Sequence, residues 1–113
     1  MPTLYKICPA ALWSEAERAG VFRGMPVDER DGYIHFSTRD QLAETARRHF
    51  ANQSDLLLVA VDSDRLGPAL KWEPSRGGAL FPHLYGELAL SAVVGVTPLP
   101  LGANGHVLPE LAP

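Results

Sequence analysis

The stretch that decides the fold is Asp31-Gly32-Tyr33-Ile34-His35-Phe36-Ser37-Thr38, which joins a turn, a short strand and the start of a helix. Asp-Gly is typical of a turn, because glycine accepts the positive φ that tight turns require. The β-rich run after it predicts a strand. Side chains alternate along a strand, so Tyr33, His35 and Ser37 should share one face. Such a face is poor core material, and we expect it to meet water or to line a polar pocket.

A helix should follow this stretch, over about residues 39–50. Thr38 and Gln41 have the spacing of a capping box at its start. Leu42 and Ala46 begin an apolar stripe at helical spacing, which predicts one buried helix face. This is the main helix that the sequence predicts.

Short strands make up most of the remaining pattern. Strands are predicted at residues 4–8, 56–61, 70–73 and 88–97, and the run 56–61 is expected at the centre of a sheet because both of its faces are apolar. A short helix is expected after Ser14, ending at Gly20. Residues 23–30 and 81–86 are predicted to be irregular, with a cis peptide bond before Pro82. One main helix, one short helix and five or six strands indicate the α+β class.

Length and composition restrict the class of protein. The chain has 113 residues, of which 46% are hydrophobic and 20% are charged, and this predicts one folded domain rather than a disordered chain. We expect its core over residues 3–98 and a loosely packed tail over residues 99–113. A net charge of −3 argues against nucleic acid as the partner.

The compartment is expected to be the cytoplasm. Cys8 is the single cysteine, which suits a reducing environment and predicts an inert core thiol. The first residues lack the pattern of a signal peptide, and the longest apolar run is too short to cross a membrane. The partner we expect is a small molecule, and the sequence leaves the oligomeric state open.

Three clusters mix titratable with aromatic residues and are candidates for a site. They are the group Tyr33, His35, Ser37 and Thr38, the pair Trp72-Glu73, and the segment Phe81-Pro82-His83-Leu84-Tyr85-Gly86. Aromatic area combined with a few polar groups suits a small organic ligand. Each cluster also has a plainer interpretation. His35 is then bonded to backbone, Ser37 and Thr38 cap a helix, and Glu73 is exposed opposite a packed Trp72.

A metal site is a weaker alternative. His35, His83 and Glu73 are of the types that ligate metals. No local spacing signature accompanies them, so we assign no metal ligands. A small hydrolase or metal-assisted site using His35 and His83 therefore stays open as an alternative.

The order of these motifs resembles one family of small bacterial proteins. The opening stretch, Asn52 after a helix, Trp72-Glu73 and the segment 81–86 are similar to the domain of unknown function 952 family, and the resemblance reaches to about Pro98. It implies a fold like that of ADP-ribosyltransferases. Two small antiparallel sheets would lie roughly perpendicular, with one main and one short helix and an NAD-sized cleft between them.

The resemblance also implies roles for the clusters. In transferases of that type, a strand histidine followed by a hydroxyl residue holds the nicotinamide-side ribose and amide, and His35 and Ser37 match this pattern. Tyr85 or Trp72 would stack on nicotinamide. Glu73 or Glu87 would supply the carboxylate that stabilises an oxocarbenium-like transition state.

The sequence therefore predicts an ADP-ribosyltransferase-like domain with a small-molecule pocket around His35, for NAD or another nucleotide. The catalytic candidates are His35, Glu73 and His83, and the ligand-binding candidates are Tyr33, Ser37, Thr38, Trp72 and Tyr85. A non-catalytic ligand-binding module that keeps the cleft is the main alternative. Fold analogy alone does not establish catalysis, and the sequence leaves open whether the protein is an enzyme.

Overall fold

The computed structural model describes residues 3–111, apart from the side chain of Arg76. In chain order the elements are β1 (Thr3–Pro9), α1 (Ala10–Ala19), β2 (Val21–Phe22), α2 (Pro26–Asp31), β3 (Ile34–His35), α3 (Leu42–His49), β4 (Leu56–Asp62), β5 (Leu70–Pro74), β6 (Leu80–Leu84), β7 (Leu88–Ala89), β8 (Val93–Leu99), β9 (Leu101–Gly102) and β10 (Gly105–His106). Short helical turns join several of the strands.

Two three-stranded antiparallel sheets organise the chain. The first sheet has the order β1-β4-β8 and the second has the order β3-β6-β5, while β2 pairs with β7 and β9 with β10. This confirms the α+β class with antiparallel sheets. The apolar strand β4 lies at the centre of the first sheet, as its pattern predicts.

Alternation along β1 divides the core into two parts. Leu4 and Cys8 pack with residues of α1 and β3, whereas Tyr5 and Ile7 pack with residues of α3. Each fully buried aliphatic side chain of this kind contributes roughly 1.5–3 kcal/mol. Lys6 shares the face of Leu4 and Cys8 and is only 5% exposed. A lysine buried on this face requires a partner inside the protein.

The first helix begins earlier than predicted. α1 starts at Ala10, with Pro9 directly before it at φ −55°, so Ser14 lies inside the helix and does not cap it. Proline suits a helix start because its fixed φ is already close to helical. The predicted end is confirmed, since Gly20 adopts φ 82° and donates its N–H to the carbonyl of Ala16.

The prediction of an irregular segment at residues 23–30 is wrong, because most of it forms α2. Pro26 opens this helix, where a missing N–H has no cost. The carboxylate of Asp28 accepts the N–H of Met25 at 2.7 Å, which satisfies one donor at the helix start. Gly32, at φ 88°, then ends the helix, so Asp31-Gly32 forms a helix end with the predicted glycine conformation.

The helix α3 is shorter than the predicted range of 39–50. Residues 39–41 form a turn, and Leu42 is the first helical residue. Half of the predicted capping box is present, because the side chain of Gln41 accepts the N–H of Thr38 at 3.0 Å. The buried stripe is confirmed, with Leu42 and Ala46 inside the core.

The prediction that residues 81–86 are irregular is also wrong, since Leu80–Leu84 form the central strand of the second sheet. Pro82 fits there because its missing N–H would face Phe36, just beyond the end of β3. The carbonyl of Pro82 still accepts the N–H of Phe36 at 3.0 Å. The predicted cis peptide bond before Pro82 is wrong too, because that peptide is trans.

The last third of the chain also differs from its predicted form. The expected strand at 88–97 is two strands, β7 and β8, separated by a helical turn at Leu90–Ala92. The register between β4 and β8 shifts next to Ala60, close to Gly95. Residues 101–106 form a hairpin where a loose tail was expected, and the ring of His106 contacts the carbonyl of Gln53 at 2.8 Å.

Candidate functional site

The second sheet carries a polar face. His35, His83 and Lys71 align across its three strands, since His83 is paired with His35 on one side and with Lys71 on the other. Ile34 and Leu84 point to the opposite face, where both are almost completely buried in the core. The predicted alternation around His35 is therefore confirmed.

A buried carboxylate holds His35 in place. Asp28 is 1% exposed, and its Oδ1 accepts the backbone N–H of His35 at 3.1 Å and contacts the ring Nδ1 at 2.7 Å. Burial alone would raise the pKa of Asp28, but the hydrogen bonds from His35 and the charge of Lys6 lower it to about 2. Asp28 is consequently an anion throughout the neutral pH range.

Lys6 is the ion partner of Asp28. Its Nζ lies 2.8 Å from Oδ2 and 3.0 Å from Oδ1 of that carboxylate. Burial lowers the pKa of Lys6, and the neighbouring carboxylate offsets only part of this effect. The pair joins β1 to α2 inside the protein. We call Lys6, Asp28, Asp31 and His35 the charged cluster.

The ring of His35 contacts a carboxylate on each side. Its Nε2 lies 3.0 Å from Oδ2 of Asp31, which is about one third exposed. Carboxylates only accept hydrogen bonds, so the two contacts are made together only by the doubly protonated ring. His35 is itself one third exposed and can therefore reach a ligand.

A second group of polar and aromatic side chains lies beside His35 and is called the aromatic cluster: Tyr33, Glu73, His83 and Tyr85. Oε1 of Glu73 lies 2.7 Å from Nδ1 of His83 and accepts the hydroxyl of Tyr85 at 2.7 Å. Tyr33 stacks on the ring of His83, with ring centroids 4.1 Å apart. The rings of His35 and His83 meet edge to face at 5.4 Å, so the two clusters are continuous.

The hydrogen bonds within the aromatic cluster shift the pKa values of Glu73 and Tyr85. Hydrogen bonds from His83 and Tyr85 lower the pKa of Glu73, which favours its anionic form. The same hydrogen bond to Glu73 raises the pKa of Tyr85 to about 12, because ionisation would remove the donated proton. Glu73 is thus an oriented anion at the protein surface.

A cavity of about 290 Å³ opens on the other side of His35. Its walls include Ile7, Ser37 and Phe81, with Thr45 and Phe50 from the side of α3. Of the residues at 3–111 that line it, none is acidic. The volume is close to the lower end of the roughly 300–1,000 Å³ typical of ligand pockets.

The structure brings together five of the predicted site residues: Tyr33, His35, Glu73, His83 and Tyr85. The two candidate carboxylates lie in different surroundings. Glu73 belongs to the aromatic cluster, whereas Glu87 forms an exposed ion pair with Arg23.

Three predicted residues lie elsewhere. Ser37 is buried and its Oγ is 2.8 Å from Oγ1 of Thr45, so it lines the cavity but not the aromatic cluster. The backbone N–H of Thr38 is bonded to the Gln41 side chain. Trp72 is 42% exposed and, by strand alternation, points away from the face of Glu73.

Sequence reasoning missed Lys6 and Asp28. A signal for Lys6 was present, because a lysine that alternates with Leu4 and Cys8 on an apolar strand must be neutralised inside the protein. No comparable signal marked Asp28, whose segment was predicted to be irregular. The two residues are 22 positions apart, and only the folded structure shows that they form an ion pair beside His35.

Two further features of the described residues concern metal binding and membrane helices. Within residues 3–111, no group of three or more His, Cys, Asp and Glu side chains is arranged to hold a metal ion. The metal alternative built on His35, His83 and Glu73 therefore has no such arrangement behind it. None of the helices in the same range is long and apolar enough to span a membrane.

The fold and the two clusters define a small α+β domain of antiparallel sheets with a compact polar site. Residues 7–96 match the family "Protein of unknown function (DUF952)", and the chain belongs to this family. The resemblance read from the motif order is thereby confirmed at the family level.

Solved structures of one relative share the fold. A crystal structure of protein CC0527 from Caulobacter crescentus is 47% identical, with a TM-score of 0.89 over 92% of this chain and 91% of that chain. A solution NMR structure of the same protein is also 47% identical, with a TM-score of 0.83 over 94% and 91%. Both come from structural genomics work. The comparison with curated proteins finds no match.

Proposed function

We propose that this protein binds a small organic ligand of the nucleotide class in the cavity beside His35. The observation that carries the proposal is the position of His35, held by Asp28 between the cavity and the aromatic cluster. Ligand sites commonly combine apolar walls with a few oriented polar groups, and this cavity has that composition. His35 would contact the ligand through the exposed part of its ring.

The volume of the cavity indicates which part of such a ligand it would hold. A cavity of about 290 Å³ accommodates one ring system rather than a whole dinucleotide. The ring would enter the cavity, and the sugar would extend over Tyr33, His83 and Tyr85. Tyr33 and Tyr85 provide exposed aromatic area there, which favours stacking and contact with apolar sugar faces.

The fold we propose for this cleft is ADP-ribosyltransferase-like, with NAD as the first ligand to test. Support comes from the two antiparallel sheets, the strand histidine with a hydroxyl two residues later, and a carboxylate on the face of His35. Catalysis at the glycosidic bond of NAD is the second candidate function. Glu73 is the observation that favours it, since an anion near the ribose stabilises an oxocarbenium-like transition state.

Ligand binding is tested by thermal denaturation with NAD, ADP-ribose and AMP. A ligand that binds only the native state raises the stability, by about 2.7 kcal/mol at 100 times its Kd. We expect a higher Tm with at least one nucleotide, and loss of that shift in His35→Gln. His106→Gln, in the C-terminal hairpin, is the matched control and should keep the shift. No shift with any nucleotide in the wild-type protein would rule out the proposal.

Catalysis is tested separately by following NAD cleavage over time. Glu73→Gln and Glu87→Gln remove one carboxylate each, and only the first belongs to the aromatic cluster. We expect cleavage to fall in Glu73→Gln and to be unchanged in Glu87→Gln. Binding of NAD without cleavage by the wild-type protein would leave the non-catalytic binding module as the function.

We also propose that the protein acts in the cytoplasm. Cys8 is a completely buried free cysteine, and burial raises the pKa of its thiol to about 11. Fractionation of cells that produce the protein would test the location, with recovery outside the cytoplasmic fraction as the contrary result.

A further inference from the structure

The backbone N–H and carbonyl groups along β1 point alternately toward β4 and away from it. The backbone N–H and carbonyl groups of the even-numbered residues point toward β4. Ala10, just beyond the strand, shows this direction, because its N–H bonds to the carbonyl of Asp55 at 2.8 Å. The odd-numbered residues face away from β4. Tyr5 bonds Ser37 with both its N–H and its carbonyl, at 2.8 and 2.9 Å, and Pro9, which has no N–H, occupies another outward position.

The pairing between β1 and the segment that contains β3 and Ser37 stops after one bridge. Tyr5 and Ser37 form the bridge, and an antiparallel ladder would next join Ile7 to His35. Instead, the N–H of His35 is donated to the carboxylate of Asp28 at 3.1 Å. The N–H of His35 is therefore not available to β1, and Ile7 and His35 both line the cavity.

The main chain of Ile7 is left facing the cavity. By alternation from Tyr5, its N–H and carbonyl point away from β4. Within residues 3–111, the backbone hydrogen bonds outside the helices and strand ladders include none that involves Ile7. Main-chain donors and acceptors are nearly always paired with protein groups or water, so a ligand that enters the cavity can pair with this donor and acceptor in place of water.

We propose that this protein recognises the planar amide edge of a lactam or carboxamide through the main chain of Ile7. The N–H of Ile7 donates to the ligand carbonyl, and the carbonyl of Ile7 accepts the ligand N–H. The ligand edge then pairs with Ile7 in the way that a residue of a continued ladder would. The proposal deepens the proposed binding function and rests on it, because it names the chemical group that the cavity selects.

The rest of the cavity is consistent with such a group. Phe50 and Phe81 provide flat apolar walls for the ring that carries the amide. The described lining residues contain no carboxylate, and the carboxylate of Asp28 already accepts hydrogen bonds from Lys6, Met25 and His35. Little therefore competes with the carbonyl of Ile7 for the ligand N–H. Nucleobases such as uracil and hypoxanthine carry lactam edges of this kind, which connects the inference to the nucleotide class.

The test uses NMR of isotopically labelled protein titrated with 2-pyridone, a planar lactam. N-methyl-2-pyridone is the matched probe, because it keeps the ring and carbonyl but lacks the N–H. We expect 2-pyridone to shift the Ile7 amide signal saturably and to slow its hydrogen exchange. The methylated probe should bind about 10-fold more weakly, as expected for loss of one hydrogen bond.

A 2-pyridone titration that leaves the Ile7 amide unchanged, or equal affinity for the two probes, would overturn the inference. Its failure is distinguishable from failure of the binding function, because nucleotides could still raise the Tm when 2-pyridone does not act at Ile7. Binding of 2-pyridone at Ile7 without any effect of nucleotides would support the inference and refute the nucleotide class.

Two variants add a second line of evidence. Ile7→Pro removes the N–H that faces the cavity but no bond to β4, and Pro9 shows that the same edge accepts proline. Ile7→Val keeps the N–H and serves as its control. We expect 2-pyridone binding to be lost in Ile7→Pro and retained in Ile7→Val. If Ile7→Pro does not fold, the pair of probes on the wild-type protein decides the question.

Discussion

The substitution Asp28→Asn should severely destabilise the protein. Asparagine keeps the size of the side chain and an oxygen acceptor for the N–H of Met25, but it removes the charge that neutralises Lys6 at 2.8 Å. Both side chains of the pair are at most 5% exposed. Breaking such a buried pair by removing one partner costs about 3–5 kcal/mol. That is a large share of the 5–15 kcal/mol that stabilises a typical domain.

Urea denaturation followed by circular dichroism at pH 7 measures this loss. A double-mutant cycle with Lys6→Met then separates the ion pair from other effects. In the double variant no charge is left without a partner, so we expect its stability to exceed that of Asp28→Asn. The coupling energy between the two substitutions should be about 2 kcal/mol or more, as observed for groups in direct contact.

The pH dependence provides an independent measure of the same carboxylate. The pKa of Asp28 is lowered from 3.8 to about 2 in the folded protein, and this difference is equivalent to about 2 kcal/mol. Because the folded pKa is the lower one, this stability is fully present above pH 4 and is lost as the pH falls toward 2. In Asp28→Asn the unfolding free energy should lose that part of its acid dependence.

Two results would refute this reasoning about the charged cluster. The first is a loss of less than about 1 kcal/mol in Asp28→Asn, the value expected for an exposed ion pair. The second is strict additivity of the two substitutions in the cycle. Either result would mean that water reaches the pair and that it does not hold α2 against β1.

Three further predictions concern other parts of the protein. In Glu73→Gln, the pKa of Tyr85 should fall from about 12 toward its ordinary value near 10, because its anionic acceptor is gone. Spectrophotometric titration measures this change, and an unchanged titration would contradict the hydrogen bond. Trp13 is 3% exposed and Trp72 is 42% exposed, so Trp13→Ala should lower the unfolding free energy by about 3–5 kcal/mol and Trp72→Ala by less than about 1 kcal/mol. Equal losses in denaturant would contradict this difference in burial. Cys8 should react with a thiol reagent only at the rate of unfolding, because it is fully buried and its pKa is raised to about 11; rapid reaction in the native protein would be the opposing result.

Local pattern predicted the elements whose neighbours in sequence decide their environment. The run of apolar residues in β4 is typical of a central strand, and the alternation of Ile34 with His35 separated core from polar face. The left-handed glycine at residue 20 ended α1 as expected. Two of the errors, those at residues 23–30 and 81–86, have a common cause. Pro82 lies in a central strand and Pro26 opens a helix because their missing N–H groups meet no required acceptor, which depends on partners distant in sequence.

The sequence by itself determined the α+β class, the family, and which residues carry the titratable and aromatic groups of the site. The tertiary structure alone decided that Lys6 meets Asp28 across 22 positions, and that Glu73 rather than Glu87 joins the aromatic cluster. The tertiary structure alone also decided that Ile7 and His35 do not pair and that a cavity opens between them. Local periodicity reports which side of an element is buried. Hydrogen bonds between separate elements depend on register and on how the elements pack, and neither is encoded in any short stretch of the chain.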